Sequence, residues 1–226
     1  MARRLRGAGF ELVLWNRDRT KSESLADQLG VPVAESAAQA ASKADVTLTS
    51  LADDRALETV YLESDGVVEG VRAHTVAVDT STVDPETIVR IGVGVDEAGA
   101  GFVDSPVSGS VAAVEAGTLT VMAGGDPVHL DQARPVLEAI SSKVVHTGAR
   151  GTGAATKLAV NALVHGLNVA LSEALVLAER AGVDRSTAYE VFASGAGGAP
   201  FVHYKRQAYE DLMWVLFNTK EFIFVR

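Results

Sequence analysis

Short apolar runs alternate with amphipathic stretches over the first two thirds of the chain. Residues 11–15, 45–51, 75–79, 101–104, 118–122 and 143–146 are brief runs rich in Val and Leu, the pattern of strands buried on both faces. Residues 31–34 make a further short strand, weakened by Pro32. Between these runs lie helical patterns over residues 19–29, 36–43, 53–62 and 130–140, and from Asp84 onward. The punctuation agrees with the periodicity. Gly30 stops the first of these helices, Ser36 caps the next, and Asp84-Pro85-Glu86 opens another with proline at its first position. Residues 106–110 read as a loop, and Gly124-Gly125-Asp126 closes the run before it. Strands separated by helices predict a mostly parallel sheet covered on both faces, an α/β doubly wound fold of the Rossmann type.

The pattern changes near residue 150. Residues 153–181 are helical without a break, about 45 Å at 1.5 Å per residue, with Gly182 as the stop. Residues 185–193 read as another helix and 195–200 as a glycine-rich loop. The expected organisation is therefore a dinucleotide-binding domain over 1–150, followed by an interdomain helix and an incomplete helical domain over 151–226.

The opening of the chain sharpens this expectation. Residues 1–10 read as the tail of a helix and a glycine turn, and residues 11–15 as the second strand of such a fold, ending in Asn16-Arg17. The first strand and its Gly-rich phosphate turn would precede Met1, so the sheet is expected to lack its first strand. Neither Gly7-Ala8-Gly9 nor Gly195-Ala196-Gly197-Gly198 follows a strand and opens a helix, so neither replaces that turn.

Composition narrows the class. Of 226 residues 47% are hydrophobic and 22% charged, and the net charge is −9, which argues against nucleic acid as a partner. The absence of cysteine excludes disulfides and a thiol nucleophile and is compatible with a reducing cytoplasm. Asn161, His165, Asn168, Ser172 and Glu173 interrupt the longest apolar stretch, so a membrane span is not expected.

Two constellations carry chemistry. On the long helix, Lys157, Asn161, His165, Asn168 and Ser172 recur three or four residues apart and share one face, while the other sides are apolar and expected to be buried. That stripe is either an ordinary solvated face or the lining of a cleft. It holds one cation, two amides and no acid before Glu173, which is the composition of a lining. A lysine facing an apolar cleft loses hydration, its pKa falls, and it can exchange a proton with a substrate oxygen. Asn161, one turn on, would hydrogen-bond the same substrate, whereas His165 reads as a packing or water contact. The second constellation ends the strand over 11–15. An acid there binds the ribose of NAD, and an arginine accepts the extra phosphate of NADP. Here the residues are Asn16 and Arg17, followed by Asp18 and Thr20.

Several stretches together resemble the β-hydroxyacid dehydrogenases, which include 3-hydroxyisobutyrate dehydrogenase and tartronate semialdehyde reductase and are related to 6-phosphogluconate dehydrogenase. They are Trp15-Asn16-Arg17, Val78-Asp79-Thr80-Ser81-Thr82-Val83, Asp104-Ser105-Pro106-Val107-Ser108-Gly109-Ser110 and the run from Gly117 to Asp126. His146-Thr147-Gly148, Gly151-Thr152-Gly153 with Lys157 and Asn161, and Ser172-Glu173-Ala174-Leu175 complete the set. The resemblance extends to about residue 206. It implies that Lys157 is the general acid/base and that Asn161 holds the substrate. By the same resemblance Ser108, Gly109 and Ser110 bind its carboxylate. Leu51, Ala52, Thr82, Asn16, Arg17 and Thr20 would contact the cofactor, with NADP preferred and NAD the alternative. Similar proteins carry roughly 14 residues before the position of Met1, and continue through further helices that include a Lys-Asp pair, which Lys220-Glu221 reaches too early to match. Residues 212–226 read as an unrelated tail. The implied activity is hydride transfer between NADP(H) and a small β-hydroxy acid or its semialdehyde, in a parent expected to be a homo-oligomer. Two competing readings are an inactive remnant of such an enzyme and an imine reductase-like relative, the second disfavoured by the lysine at 157.

Overall fold

The computed structural model describes residues 1–195. The predicted loop past Gly195, the tail over 212–226 and the pair Lys220-Glu221 lie outside the described residues. Contacts divide the chain into two compact units, Met1–Asn161 and Ala162–Arg226.

In chain order the elements of the first unit are α1 (Ala2–Gly7), α2 (Arg19–Leu29), α3 (Ala37–Ser42), β1 (Val46–Thr49), α4 (Asp54–Leu62), α5 (Val67–Gly70), β2 (Val76–Asp79) and α6 (Pro85–Glu97). They continue with β3 (Gly101–Asp104), β4 (Val107–Ser108), α7 (Val111–Ala116), β5 (Leu119–Gly125), α8 (Pro127–Ile140) and β6 (Ser141–Gly148). The long helix α9 (Thr152–Arg180) runs from the first unit into the second, which also holds α10 (Arg185–Ser194). Local chemistry explains the boundaries. Asp18, Ser36, Asp53, Asp84, Asp126 and Asp184 each accept an N–H from the first turn of the helix that follows. Each such cap is worth about 1 kcal/mol.

The sheet order is β1-β2-β3-β5-β4, with β3 and β4 sharing one edge of β5 and β6 paired along the other. Strands β1, β2 and β3 are mutually parallel, and their register aligns Thr49, Asp79 and Asp104 as neighbours at the carboxyl ends. Strand β5 runs antiparallel to β3 and β4 and parallel to β6. The sheet is therefore mixed. The predicted loop over 106–110 contains β4, because Val107 and Ser108 find ladder partners in Val121 and Thr120. The connection from β4 to β5 holds only the short α7, less than a parallel crossover requires, so β5 turns back antiparallel.

Alternate residues of each strand serve opposite faces. Ala77 and Phe102 point into a core with Leu57, Tyr61, Ile88 and Ile91 of α4 and α6. Val76, Val78 and Val103 join Leu130, Ala133 and Leu137 of α8 on the other side. The Tyr61 and Phe102 rings meet edge to face at 5.9 Å. Burying each such side chain contributes about 1.5–3 kcal/mol.

Two expectations are corrected. The strands predicted over 11–15 and 31–34 reduce to one parallel bridge, Leu14 with Val33. Only two backbone bonds join the segments, from Leu14 N to the Pro32 carbonyl and from Ala34 N to the Leu14 carbonyl. Pro32 has no N–H to extend the ladder, and β1 pairs only with β2 among the described residues. The apolar sides of α9, expected to be buried, are largely exposed: Leu158 is 43% accessible, Leu163 65% and Leu177 72%. A helix about 44 Å long outreaches what packs on it among the described residues. Ala154 joins the first unit's core, and in the second unit Leu171 and Leu175 bury Ala188 and Tyr189 of α10. By length and composition α9 also meets the measure of a membrane-crossing helix, although the polar stripe recurs along it.

Candidate active site

The carboxyl ends of parallel strands are where open α/β sheets bind ligands, and the site is built from the row that Thr49, Asp79 and Asp104 form there. Asp79 is fully buried at the end of β2. Its Oδ1 accepts the Thr49 hydroxyl at 2.7 Å and the Ser81 hydroxyl at 2.8 Å, and its Oδ2 accepts Ser81 N–H at 3.1 Å. Burial pushes this carboxyl up to about 6 against the pull of the two hydroxyls, with a smaller push from Asp104. Ser81 Oγ in turn accepts Leu51 N–H at 2.8 Å, and the Thr80 hydroxyl donates to the Thr49 carbonyl at 2.7 Å. One buried acid thus ties together the two turns that carry Leu51, Ala52 and Thr82. Ala52 and Thr82 are exposed, Leu51 half-buried, and Thr82 stands between buried Ser81 and Val83.

Asp104, fully buried at the end of β3, faces the start of α9. Its Oδ1 accepts Gly151 N–H at 2.8 Å and its Oδ2 accepts Ala154 N–H at 2.9 Å. Burial raises its pKa, opposed by those amides. The approach is close enough to demand glycine: a Cβ at Gly153 would lie 2.5 Å from the Met122 carbonyl and 2.7 Å from Asp104 Oδ2. Two further contacts hold the same segment. Arg150 makes a bidentate pair with Asp96 of α6 at 2.8 and 2.9 Å, and the Thr152 hydroxyl lies 2.9 Å from that of Thr147. Lys157 follows Ala154 by three residues and is half-buried, and desolvation holds its ammonium below the ordinary lysine pKa. Asn161 is half-buried one turn on, as are Asn168 and Ser172, whereas His165 is exposed.

The remaining predicted residues occupy two other places. Ser108 pairs with Thr120 and is half-buried. Gly109 has φ +143°, and a Cβ there would stand 2.6 Å from Leu119 Cδ2, so conformation and space both require glycine. Ser110 caps α7 by accepting Ala113 N–H at 3.4 Å. At the start of α2, Asn16 Oδ1 accepts Asp18 N–H at 2.9 Å, and Asp18 accepts both the N–H and the hydroxyl of Thr20. Lys21 stands 3.8 Å from Asp18, and Arg19 is paired with Glu23 and Glu35. Arg17 is exposed and makes no hydrogen bond or ion pair among the described residues. An open hollow of about 430 Å³ between α6 and the start of α9, lined by Pro85, Val89 and Ala155 together with Glu86, Arg90 and Arg150, contains none of the predicted site residues.

Sequence reasoning missed the roles of Asp79, Ser81, Asp104 and Arg150. The signal for the two acids was present: Val-Ala-Val-Asp and Gly-Phe-Val-Asp each end a fully apolar strand in a carboxylate.

Known proteins share this fold. Residues 1–148 match the model of the NAD binding domain of 6-phosphogluconate dehydrogenase, and residues 151–211 match that of the NAD-binding region of NADP-dependent 3-hydroxyisobutyrate dehydrogenase. Glyoxylate/succinic semialdehyde reductase 1 of Arabidopsis thaliana is 34% identical over 188 residues, covering 83% of this chain and 65% of the plant protein. The structure of Mycobacterium tuberculosis 3-hydroxyisobutyrate dehydrogenase with L-serine is 34% identical, with a TM-score of 0.79 over 88% of this chain and 67% of that one. An imine reductase from Myxococcus stipitatus has a TM-score of 0.75 over 99% of this chain and 75% of that one, but is only 16% identical, a likeness of fold alone. The chain thus spans about two thirds of the length of these dehydrogenase and reductase relatives. With a Rossmann-type sheet, a lysine-bearing α9 and both segments matched in order, this chain belongs to the β-hydroxyacid dehydrogenase family.

Proposed function

We propose that the protein interconverts a small β-hydroxy acid and its semialdehyde, with NADP(H) preferred over NAD(H). The observation that carries this reading is Lys157: a half-buried lysine of lowered pKa, less than one turn beyond Ala154, whose N–H is held on the carboxyl end of β3. A nicotinamide cofactor supplies the hydride acceptor or donor. Lys157 gives a proton to the substrate oxygen in reduction and takes one in oxidation. Asn161, four residues on, orients the substrate, and Ser108 and Gly109 hold its carboxylate, with Ser110 fixing the turn into α7. Lys157 and the carboxylate contacts set the substrate class; the relatives' names suggest short acids without naming one for this chain.

The residues present fit a phosphorylated dinucleotide. Arg17 offers a free, permanently charged guanidinium, while the neighbouring cations Arg19 and Lys21 are already paired. Asp18, the acid that would otherwise serve a ribose diol, is committed to capping α2. Asn16 and Thr20 flank that position, and Leu51, Ala52 and Thr82, at the ends of β1 and β2, would contact the rest of the cofactor. We take α9 as a helix of a water-soluble enzyme. Its exposed leucines and valines support burial against more protein, as in a homo-oligomer.

Fluorescence titration of the chain with NADPH and NADH, followed by turnover of small semialdehydes, tests the proposal. NADPH should bind more tightly. Arg17→Ala should weaken NADPH by roughly 10- to 100-fold, the loss of a charged hydrogen bond, and leave NADH nearly unchanged. Lys157→Ala should lower turnover by about 10²- to 10⁴-fold with cofactor affinity intact. A folded chain that binds neither nucleotide, or a Lys157→Ala variant with full turnover, overturns the reading.

A further inference from the structure

We infer that Asp104 is the positioning residue of the site: its carboxylate, through the backbone amides of Gly151 and Ala154, sets where along α9 the Lys157 ammonium stands. This rests on the reading of Lys157 as the proton-transferring group. Four observations carry it. Asp104 is fully buried, yet both its oxygens are spent on the first turn of α9 and none on its own strand's neighbours. The space around it is cleared by two glycines, since a Cβ at Gly124 would lie 2.6 Å from Oδ1 and one at Gly153 would lie 2.7 Å from Oδ2. The contact spans about fifty residues of sequence, joining the last residue of a central strand to the helix. Finally, Lys157 lies three residues past Ala154, within one helical turn of the amide that the carboxylate holds.

The chemistry makes the carboxylate hard to replace. Both contacts are backbone N–H groups, which only donate. An ionised carboxylate accepts on both oxygens and also favours the positive end of a helix. An amide of the same shape must turn its own NH₂ toward one of the two N–H groups. The helix start then loses a partner and shifts, and Lys157 shifts with it. An Arg150–Asp96 pair and the Thr147–Thr152 contact hold the same segment, so the expected change is a displacement of the first turn, with α9 itself kept.

The test is NMR on the full chain and its Asp104→Asn variant, reading two quantities that do not depend on turnover. Exchange of the Ala154 and Gly151 amides should accelerate at least tenfold, while amides of β1 and β2 keep their rates. The Lys157 side-chain titration should move upward toward the ordinary lysine value, as the loosened turn lets water reach the ammonium. Unchanged exchange at the start of α9, or an unchanged Lys157 titration in a folded variant, overturns the inference. If Asp104→Asn does not fold, Asp104→Ser decides. A hydroxyl oxygen can accept one of the two N–H groups but not both, and it presents no fixed NH₂. It should move both readouts in the same direction by less, and no movement overturns the inference. A chain without dehydrogenase activity still answers this experiment. An Asp104 without influence on Lys157 leaves the dehydrogenase reading to its own test.

Discussion

Asp79 and Asp104 occupy the same place on adjacent parallel strands. They are register partners, each the last residue of a fully buried strand, and burial raises the pKa of both. They differ in what surrounds them. Asp79 meets two hydroxyls and one amide from the turns of β1 and β2, on the side that carries Leu51, Ala52 and Thr82. Asp104 meets backbone amides of α9, on the side that carries Lys157. A hydroxyl can rotate to donate or accept, so it satisfies a carboxylate, a carboxylic acid or an amide. A backbone N–H has one role only. Identical residues at equivalent positions therefore produce one wall that tolerates a change of protonation and one that does not.

The largest effect that would break this comparison is on stability. Asp104→Asn should cost about 3 kcal/mol, the penalty for leaving a buried N–H facing a donor, read by chemical denaturation at neutral pH. Next is the pH dependence that belongs to Asp79. Its folded pKa of about 6 exceeds the unfolded value near 3.8, so the folded state holds the proton more tightly. The stability this supplies is fully present below about pH 4 and is lost as pH rises through 6, a decline of about 2–3 kcal/mol for a shift of this size. Denaturation between pH 4 and 7 should show that decline in the parent and not in Asp79→Asn. The smallest effect is Asp79→Asn itself at pH 7. It should lie within about 1 kcal/mol of the parent, on the stabilising side, because the Thr49 and Ser81 hydroxyls can turn to accept the new NH₂ while the retained carbonyl keeps Ser81 N–H. An Asp79→Asn variant as damaged as Asp104→Asn would erase the distinction between the two walls.

Much of the fold was legible in the chain. The caps at Ser36 and Asp84 and the stop at Gly30 are local hydrogen-bond chemistry, and the structure contains all three. Residues 130, 133 and 137, spaced as one helix face, are buried together. The stripe from Lys157 to Ser172 was legible as a stripe, and four of its five members are half-buried. Its apolar flanks misled, because hydrophobicity marks what a helix could bury and the described residues cover little of α9. The strands at 11–15 and 31–34 failed for a related reason. Their apolar pattern suits a ladder, but a ladder needs a neighbour that donates and accepts, and Pro32 with a single bridge supplies too little.

By itself the sequence determined the alternation of strands and helices, the caps and stops of the helices it predicted, and a lone lysine on a polar face. These depend on backbone propensity, periodicity and contacts a few residues apart. Only the tertiary structure decided that β5 runs antiparallel to β3, that Asp79 is met by Thr49 of β1, and that Asp104, ending a similar strand, is met by the start of α9. Those outcomes depend on partners tens of residues away. A buried polar group is defined by the donors and acceptors that folding brings to it, and those partners exist only once the strands are in register.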